Sequence, residues 1–164
     1  MAWSFKLRGV EELTGDGKAA VLVGIGHGLE KIVVRGEQLV KEEAPVGASG
    51  QLANSANHLV EGTRAEIFIG PPADVYGAAV EAGTRPHFPP PDALIPWVIK
   101  KFNPNSDAEA REIAWLIARA IAKRGTKGQL YFKRATDQLG KEARGILEFE
   151  IAEALDAAGF GEAA

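Results

Sequence analysis

The sequence predicts an α+β fold: a small antiparallel sheet packed by a long N-terminal helix and followed by a helical C-terminal half. Three observations predict it. Apolar residues at Leu22, Ile25, Leu29, Ile32 or Val33, Gly36 and Val40 keep a helical three-to-four spacing for about six turns. Residues 55–70 read as a hairpin, with Ser55–Val60 and Arg64–Gly70 as arms around Glu61-Gly62-Thr63 and with Ala65, Ile67 and Ile69 on one side. Beyond residue 88 the apolar spacing is helical. With 164 residues, 46% of them hydrophobic, the chain is long enough for one domain with its own core, an α+β part over 1–88 and a helical part over 89–164.

Each element has its own signal. Trp3, Phe5 and Leu7 alternate with Ser4, Lys6 and Arg8, the period of a half-buried strand that would join the hairpin. A turn-prone Thr14-Gly-Asp-Gly17 precedes the long helix, Glu37 and Lys41 support it at i and i+4, and Pro45 stops it. Gly24, Gly26, Gly28 and Gly36 each cost such a helix roughly 1 kcal/mol relative to Ala. Either its start frays or another backbone comes close.

Gly47-Ala-Ser-Gly50 reads as a flexible loop, and Pro71-Pro72 ends the hairpin. Asp74 is placed to cap a short helix that Gly83 terminates. Pro89-Pro90-Pro91 is held extended, near polyproline II. Asp92 then caps a helix over Ala93–Phe102, in which Pro96 is tolerable only within the first turn. Ser106-x-x-Glu109 is a capping box for a helix with Ala110, Ile113, Ala114, Ile117 and Ile121 as its buried stripe and Gly125 as its stop. A last helix spans about Lys133 to Ala158, before Gly159.

Chemistry is not legible in the sequence. The chain has no cysteine, so disulfides and thiolate metal sites are excluded. His27, His58 and His87 fall on three separate elements without metal-ligand spacing. Gly24-Ile-Gly26-His-Gly28 lacks the Gly-Lys-Ser/Thr ending of a P-loop and the Gly-x-Gly-x-x-Gly spacing of a dinucleotide loop. No catalytic, cofactor-binding or metal-binding residue is assigned, and a non-enzymatic protein is expected. The longest apolar run, Ala19–Ile25, is too short to span a bilayer, and no leader-like segment is read; a cytosolic site of synthesis and no membrane partner are expected. Trp3, Trp97 and Trp115 sit on amphipathic elements, where core or subunit packing is the default.

Charge is uneven although the net charge is only -3. Between Arg111 and Arg134 seven basic residues face the single acid Glu112, whereas Lys141–Ala164 carries six acids and two bases. Modest basic runs are common on helix surfaces, and this one has no aromatic interleaving of the kind that makes a single-strand platform. A solvated or protein-contacting face is the first expectation and direct nucleic-acid contact the second.

The order of short motifs is the most specific feature. Pro45-Val46 and Gly50-x-Leu52-x-x-Ser55 precede the hairpin; Tyr76-x-x-x-Val80-Glu81-x-Gly83-Thr84 and Arg85-Pro-His-Phe88-Pro89 follow it. In this order the chain, over about residues 20–135, resembles a family of small bacteriophage virion proteins of the head-to-tail junction, called minor tail components, neck proteins or tail-completion proteins. The first motif departs from the family pattern, which carries an Arg beside its Leu: here Gln51 and Ala53 flank Leu52.

The resemblance implies a non-catalytic structural subunit of a virion assembled in the bacterial cytoplasm. It would form a homo-oligomeric ring, hexameric or dodecameric, between the connector or head-closure protein and the tail terminator or tail tube. DNA would be met only through the lumen. Expected contact residues are Gly50, Leu52 and Ser55 in the loop, Glu81, Gly83, Thr84, Arg85, Phe88 and Pro89 along the arm, and Lys123 and Arg124 in the basic strip. That strip and the acidic C-terminal helix are expected to face one another across the heterologous contact a ring requires. A tail terminator or assembly factor, and a small nucleic-acid-binding protein using residues 111–134, are the alternatives.

Overall fold

The computed structural model describes residues 1–8, 14–15 and 17–160. Asp16 of the expected turn and the end of the acidic run, 161–164, lie outside them. The order is β1 (Ala2–Lys6), α1 (Lys18–Glu43), α2 (Gln51–Asn54), β2 (Ala56–Glu61), β3 (Arg64–Ile69), α3 (Asp74–Ala82), β4 (Gly83–Thr84), α4 (Pro91–Phe102), α5 (Asp107–Arg124), β5 (Thr126–Lys127) and α6 (Tyr131–Ala157). The α+β class is as the sequence predicts.

The sheet has the order β1-β3-β2, both pairings antiparallel, so the N-terminal strand flanks β3 on the side away from its hairpin partner. Gly62, at φ +58, makes the tight turn of the hairpin. Ala65, Ile67 and Ile69 all face inward and are buried, as their alternation predicts.

α1 and α6 form the spine. They run antiparallel, with Lys31 bonded to Glu150 at 2.5 Å, Arg35 to Glu142 at 2.9 Å and Glu43 to Arg134 at 2.7 Å. Glycines let them touch: a Cβ on Gly24 would lie 2.6 Å from Ile151 Cα and 2.7 Å from the Glu150 carbonyl oxygen. Gly28 faces Leu147, and Gly36 faces Ile67 and Leu139. Of the two readings of the glycine-rich start, close approach therefore holds at Gly24, Gly28 and Gly36, while Gly26 meets nothing. Leu22, expected on the buried stripe, is exposed, because the glycines beside it take the helix contact. Leu29, Ile32, Val33, Leu39 and Val40 of α1 join Ala65, Ile67 and Ile69 of the sheet and Tyr131, Phe132, Ala135 and Leu139 of α6 in one core.

Three helix starts differ from expectation. Ala73, not Asp74, occupies the N-cap of α3, and the Asp74 carboxylate accepts only from the Val75 amide, at 3.0 Å. α4 begins at Pro91 after Pro90, so Pro96 falls in its second turn and the bond a residue there would donate to the Asp92 carbonyl is missing. At α5, Ser106 Oγ accepts from the Glu109 amide at 3.2 Å, but Glu109 reaches back to the amide of Asn105 at 2.7 Å and not to that of Ser106. The box is displaced by one residue. Gly125 ends α5 at φ +72, and Gly159, φ +82, follows α6, as expected.

Candidate interaction surface

α4 and α5 make a helical hairpin inserted between α3 and α6. Its own core is thin: Val98, Ala110 and Ala114 are buried, with Leu94, Ile95, Ile113 and Ile117 packed around them. The insertion is rooted by a two-stranded antiparallel ribbon in which Gly83 pairs with Lys127 and Thr84 with Thr126. The Thr84 amide donates to Thr126 Oγ1 at 3.0 Å and the Thr126 amide to Thr84 Oγ1 at 3.2 Å, so two side chains close the ladder that two residues per strand begin.

This crossing explains the Gly-Thr-Arg break. A Cβ at Gly83 would stand 2.3 Å from the Thr126 carbonyl oxygen, and one at Gly128 2.5 Å from that of Glu81. The backbones cannot approach so closely with any side chain between them. Glu81 has an internal task as well. Its carboxylate accepts from the amides of Phe132 at 2.9 Å and Lys133 at 3.0 Å, and its carbonyl accepts from Leu130 at 3.1 Å. It thereby caps α6, whose preceding residue Leu130, at φ +51, supplies no side-chain cap.

The motif residues upstream meet the same root. Gly50, at φ +69, ends the expected loop and starts the short α2, which fills residues 51–54 between that loop and the hairpin, where no element was expected. Leu52 and Ser55 are buried, Leu52 in the main core, and the Ser55 carbonyl accepts from the Gly70 amide at 2.8 Å and from Asn57 Nδ2 at 2.9 Å. Tyr76 Oη donates to Gln51 Oε1 at 3.1 Å, linking the first motif to the second. A cleft of about 500 Å³ lies there between body and hairpin, with Val46, Leu52, Tyr76 and Val80 on one side and Trp97 on the other. Lys100 of α4 donates across to the Ala48 carbonyl at 3.1 Å.

Thus Gly50, Leu52, Ser55, Glu81, Gly83 and Thr84 all serve contacts within the chain. Arg85 and Phe88 are exposed on the arm, Pro89 is half-buried, and Lys123 and Arg124 are exposed at the end of α5.

The exposed apolar residues of the hairpin are Trp97, Ile99, Phe102, Trp115 and Leu116. Trp115 is 47% exposed and Leu116 52%, side by side on the face of α5 opposite Ala110, Ala114 and Ala118. Helical spacing could have found them, because positions 115 and 116 fall outside the 110, 113, 114, 117 and 121 stripe. The Arg119 guanidinium lies 5.4 Å from the Trp115 ring, a cation–π contact. Of the 19 Lys and Arg and 22 Asp and Glu in the chain, eight and four fall in residues 83–130, leaving eleven and eighteen elsewhere. The insertion is net basic and the rest net acidic.

Ion pairing sharpens that contrast. On α6 Glu142 and Glu150 pair with α1, and Glu148 pairs with Arg144, so half of the acids expected to face a neighbour are already used within the chain. Lys133 and Arg134, in the basic run, pair with Asp137 and Glu43. Arg111, Arg119, Lys123, Arg124 and Lys127 make no ion pair with any described residue.

The shifted titrations all belong to the body. Burial pushes the Glu37 carboxyl up, but its bonds to Lys41 and His58 outweigh this and hold it below the usual 4.5. The bond from Arg35 holds Glu142 below 4.5. Burial, with the charge of Glu81 nearby, pushes the Tyr131 phenol up to about 12, and its hydroxyl has no hydrogen-bond partner among the described residues. No group of three or more His, Asp or Glu among the described residues is placed to hold a metal ion, and no described helix is long and apolar enough to cross a membrane.

Comparisons with protein-family models, with curated proteins and with solved structures return no match.

Proposed function

We propose that this chain is a non-catalytic structural protein of a tailed bacteriophage virion, a ring-forming component of the head-to-tail junction that helps join the capsid connector to the tail. One observation carries the reading. The motif series from Gly50 to Pro89, read in the sequence as a resemblance to neck and tail-completion proteins, converges on the root of a helical hairpin that carries exposed aromatic side chains. Large apolar side chains clustered with arginine on an exposed helix suit recognition of another protein.

The test is an assembly phenotype. Particles produced without the gene are expected to show filled heads and finished tails that fail to join. Tails of abnormal length would instead favour the terminator role, and normal infectious particles lacking the protein would overturn the structural reading.

The unpaired basic residues of the hairpin favour one second reading, direct binding of nucleic acid. It predicts an affinity that falls steeply between low and moderate salt. A gel shift at two salt concentrations separates the two, since the structural reading expects little binding at either.

A further inference from the structure

A second exposed apolar feature lies on the spine, away from the hairpin. The N-terminal turns of α1 and the C-terminal turns of α6 enclose an open groove of about 540 Å³, walled by Ala20, Val23, Phe149, Ala154 and Ala157. Val23 is 52% exposed and Phe149 59%. Glu153 is exposed on its rim and makes no ion pair with a described residue, while Lys31 and Glu150 neutralise one another at its side.

The groove and the hairpin have opposite properties. The outer face of α5 presents Arg111, Trp115 and Arg119 at successive four-residue steps, with Leu116, Lys123 and the single acid Glu112 beside them, so that it remains net positive. It is convex, aromatic and positive; the groove is concave, small-residue-lined and rimmed by a carboxylate. The root of the hairpin and the groove are also set apart along α6. The hairpin is rooted at the start of α6, near Tyr131, and the groove lies around Phe149, roughly 27 Å along the same helix at 1.5 Å per residue. A hairpin anchored by Gly83–Thr84 and Thr126–Lys127 does not reach the groove of its own chain.

We propose that the Trp115 face of one subunit's hairpin docks into the α1–α6 groove of a second copy, with Trp115 and Leu116 filling the apolar floor and Arg111 and Arg119 meeting the rim at Glu153. The occupant is identified by charge: the hairpin is the basic part of this chain and the body the acidic part, so each is the other's complement. Because the two surfaces differ, the contact is heterologous and repeats head to tail, closing into a ring where the rotation permits. The inference gives the structural-subunit reading its subunit contact and rests on that reading for the setting in a particle. Its physical content stands on the two surfaces.

Heterology supplies the test. Trp115→Ser alters only the hairpin surface and Val23→Glu only the groove; both positions are exposed, and circular dichroism of each full-length variant checks that it is folded. Sedimentation velocity over a concentration series is expected to show self-association of the parent chain. Each single variant should associate at least about tenfold more weakly, as expected for loss of a buried Trp anchor or for a charge forced into an apolar floor.

Mixing the two variants decides the matter. The Val23→Glu chain keeps a good hairpin and the Trp115→Ser chain a good groove, so an equimolar mixture should form a one-to-one dimer that neither variant forms alone. Absence of that dimer, association unaffected by either change, or a parent chain that stays monomeric throughout the series would overturn the proposal. Phe149→Glu serves as a second groove variant should Val23→Glu lose its helix signal. If a labelled DNA duplex binds the monomeric parent chain and Trp115→Ser abolishes that binding, the face serves nucleic acid and the proposal is likewise overturned. Failure of the virion reading shows separately, as normal particles made without the gene.

Discussion

The α1–α6 spine and the α4–α5 hairpin are both pairs of packed helices, but they are built for different ends. In the spine, glycines bring backbones into contact, long aliphatic chains are fully buried, and ion pairs bridge the two helices along their length. In the hairpin the fully buried side chains are one valine and three alanines, while tryptophans stay half in water and the arginines make no ion pair with a described residue. Burial of apolar area is the main favourable term in folding, so the spine supplies most of the stability of the chain. The hairpin spends its apolar residues on its surface, which makes sense where they are to be covered by something else.

The strongest way to break this contrast is to insert a methyl group into the spine. Gly24→Ala puts a Cβ within 2.7 Å of backbone atoms of α6 that cannot step aside. It is expected to lower stability in urea unfolding by about 2–3 kcal/mol. Gly140→Ala, on the exposed side of α6 where a Cβ meets nothing, should instead raise it by about 0.5–1 kcal/mol. Equal effects at the two sites would mean that the spine is not the tight interface described.

Next in size is the joint between the two regions. Removing the carboxylate in Glu81→Ala leaves the Phe132 and Lys133 amides without their cap and is expected to cost about 1–2 kcal/mol. Hydrogen exchange should then accelerate at those two amides first. If stability and exchange are unchanged, Glu81 is free for a partner and not committed to α6.

The comparison is sharpened further by native-state exchange of the parent chain. Amides of α4 and α5 should open by local unfolding at least about tenfold more readily than those of α1 and α6, since few buried contacts hold them. Uniform protection across both pairs would show one cooperative unit and remove the distinction.

The smallest expected effect is pH dependence, and it belongs to the body alone. Glu37 and Glu142 titrate below 4.5 in the folded chain, so both bind protons more readily when it is unfolded. Their contribution is present above about pH 4.5 and is lost as the pH falls through their folded values. Urea midpoints measured from pH 7 to pH 3 should therefore decline at the acid end, and Glu142→Gln should flatten part of that decline. A midpoint that rises toward acid would contradict these pairings.

Legibility in the sequence followed the range of the interactions. The ends of α5 were readable because Ser106 and Gly125 act on their own neighbours, and the hairpin strands because alternation is local. The start of α4 was misjudged because Asp92 looked like a cap while the preceding prolines already provided the helix entry. The glycines of α1 announced a cost, but nothing near them in sequence named Ile151, Leu147 or Leu139 as the reason. Glu81 is the clearest case at the candidate site. Its partners are 51 and 52 residues away, so its charge could be noticed and its cap could not. Leu52 and Ser55 likewise read as a contact loop and proved to be buried, whereas Trp115, for which the sequence offers core or subunit packing, is exposed beside Leu116, a residue the sequence does not single out.

By itself the sequence determined the long helices and the strands of the main sheet, where most of them stop, and that charge divides between a basic and an acidic part, but not α2 or the β4–β5 ribbon. Those properties arise from backbone sterics, capping and side-chain period, which act within a few residues. Only the tertiary structure decided which apolar stripes close on one another and which remain open. Hydrophobic attraction has no direction, so a stripe records that it wants cover without recording whose. Here the fold chose α6 to cover the glycines of α1 and left α5 to present Trp115 outward.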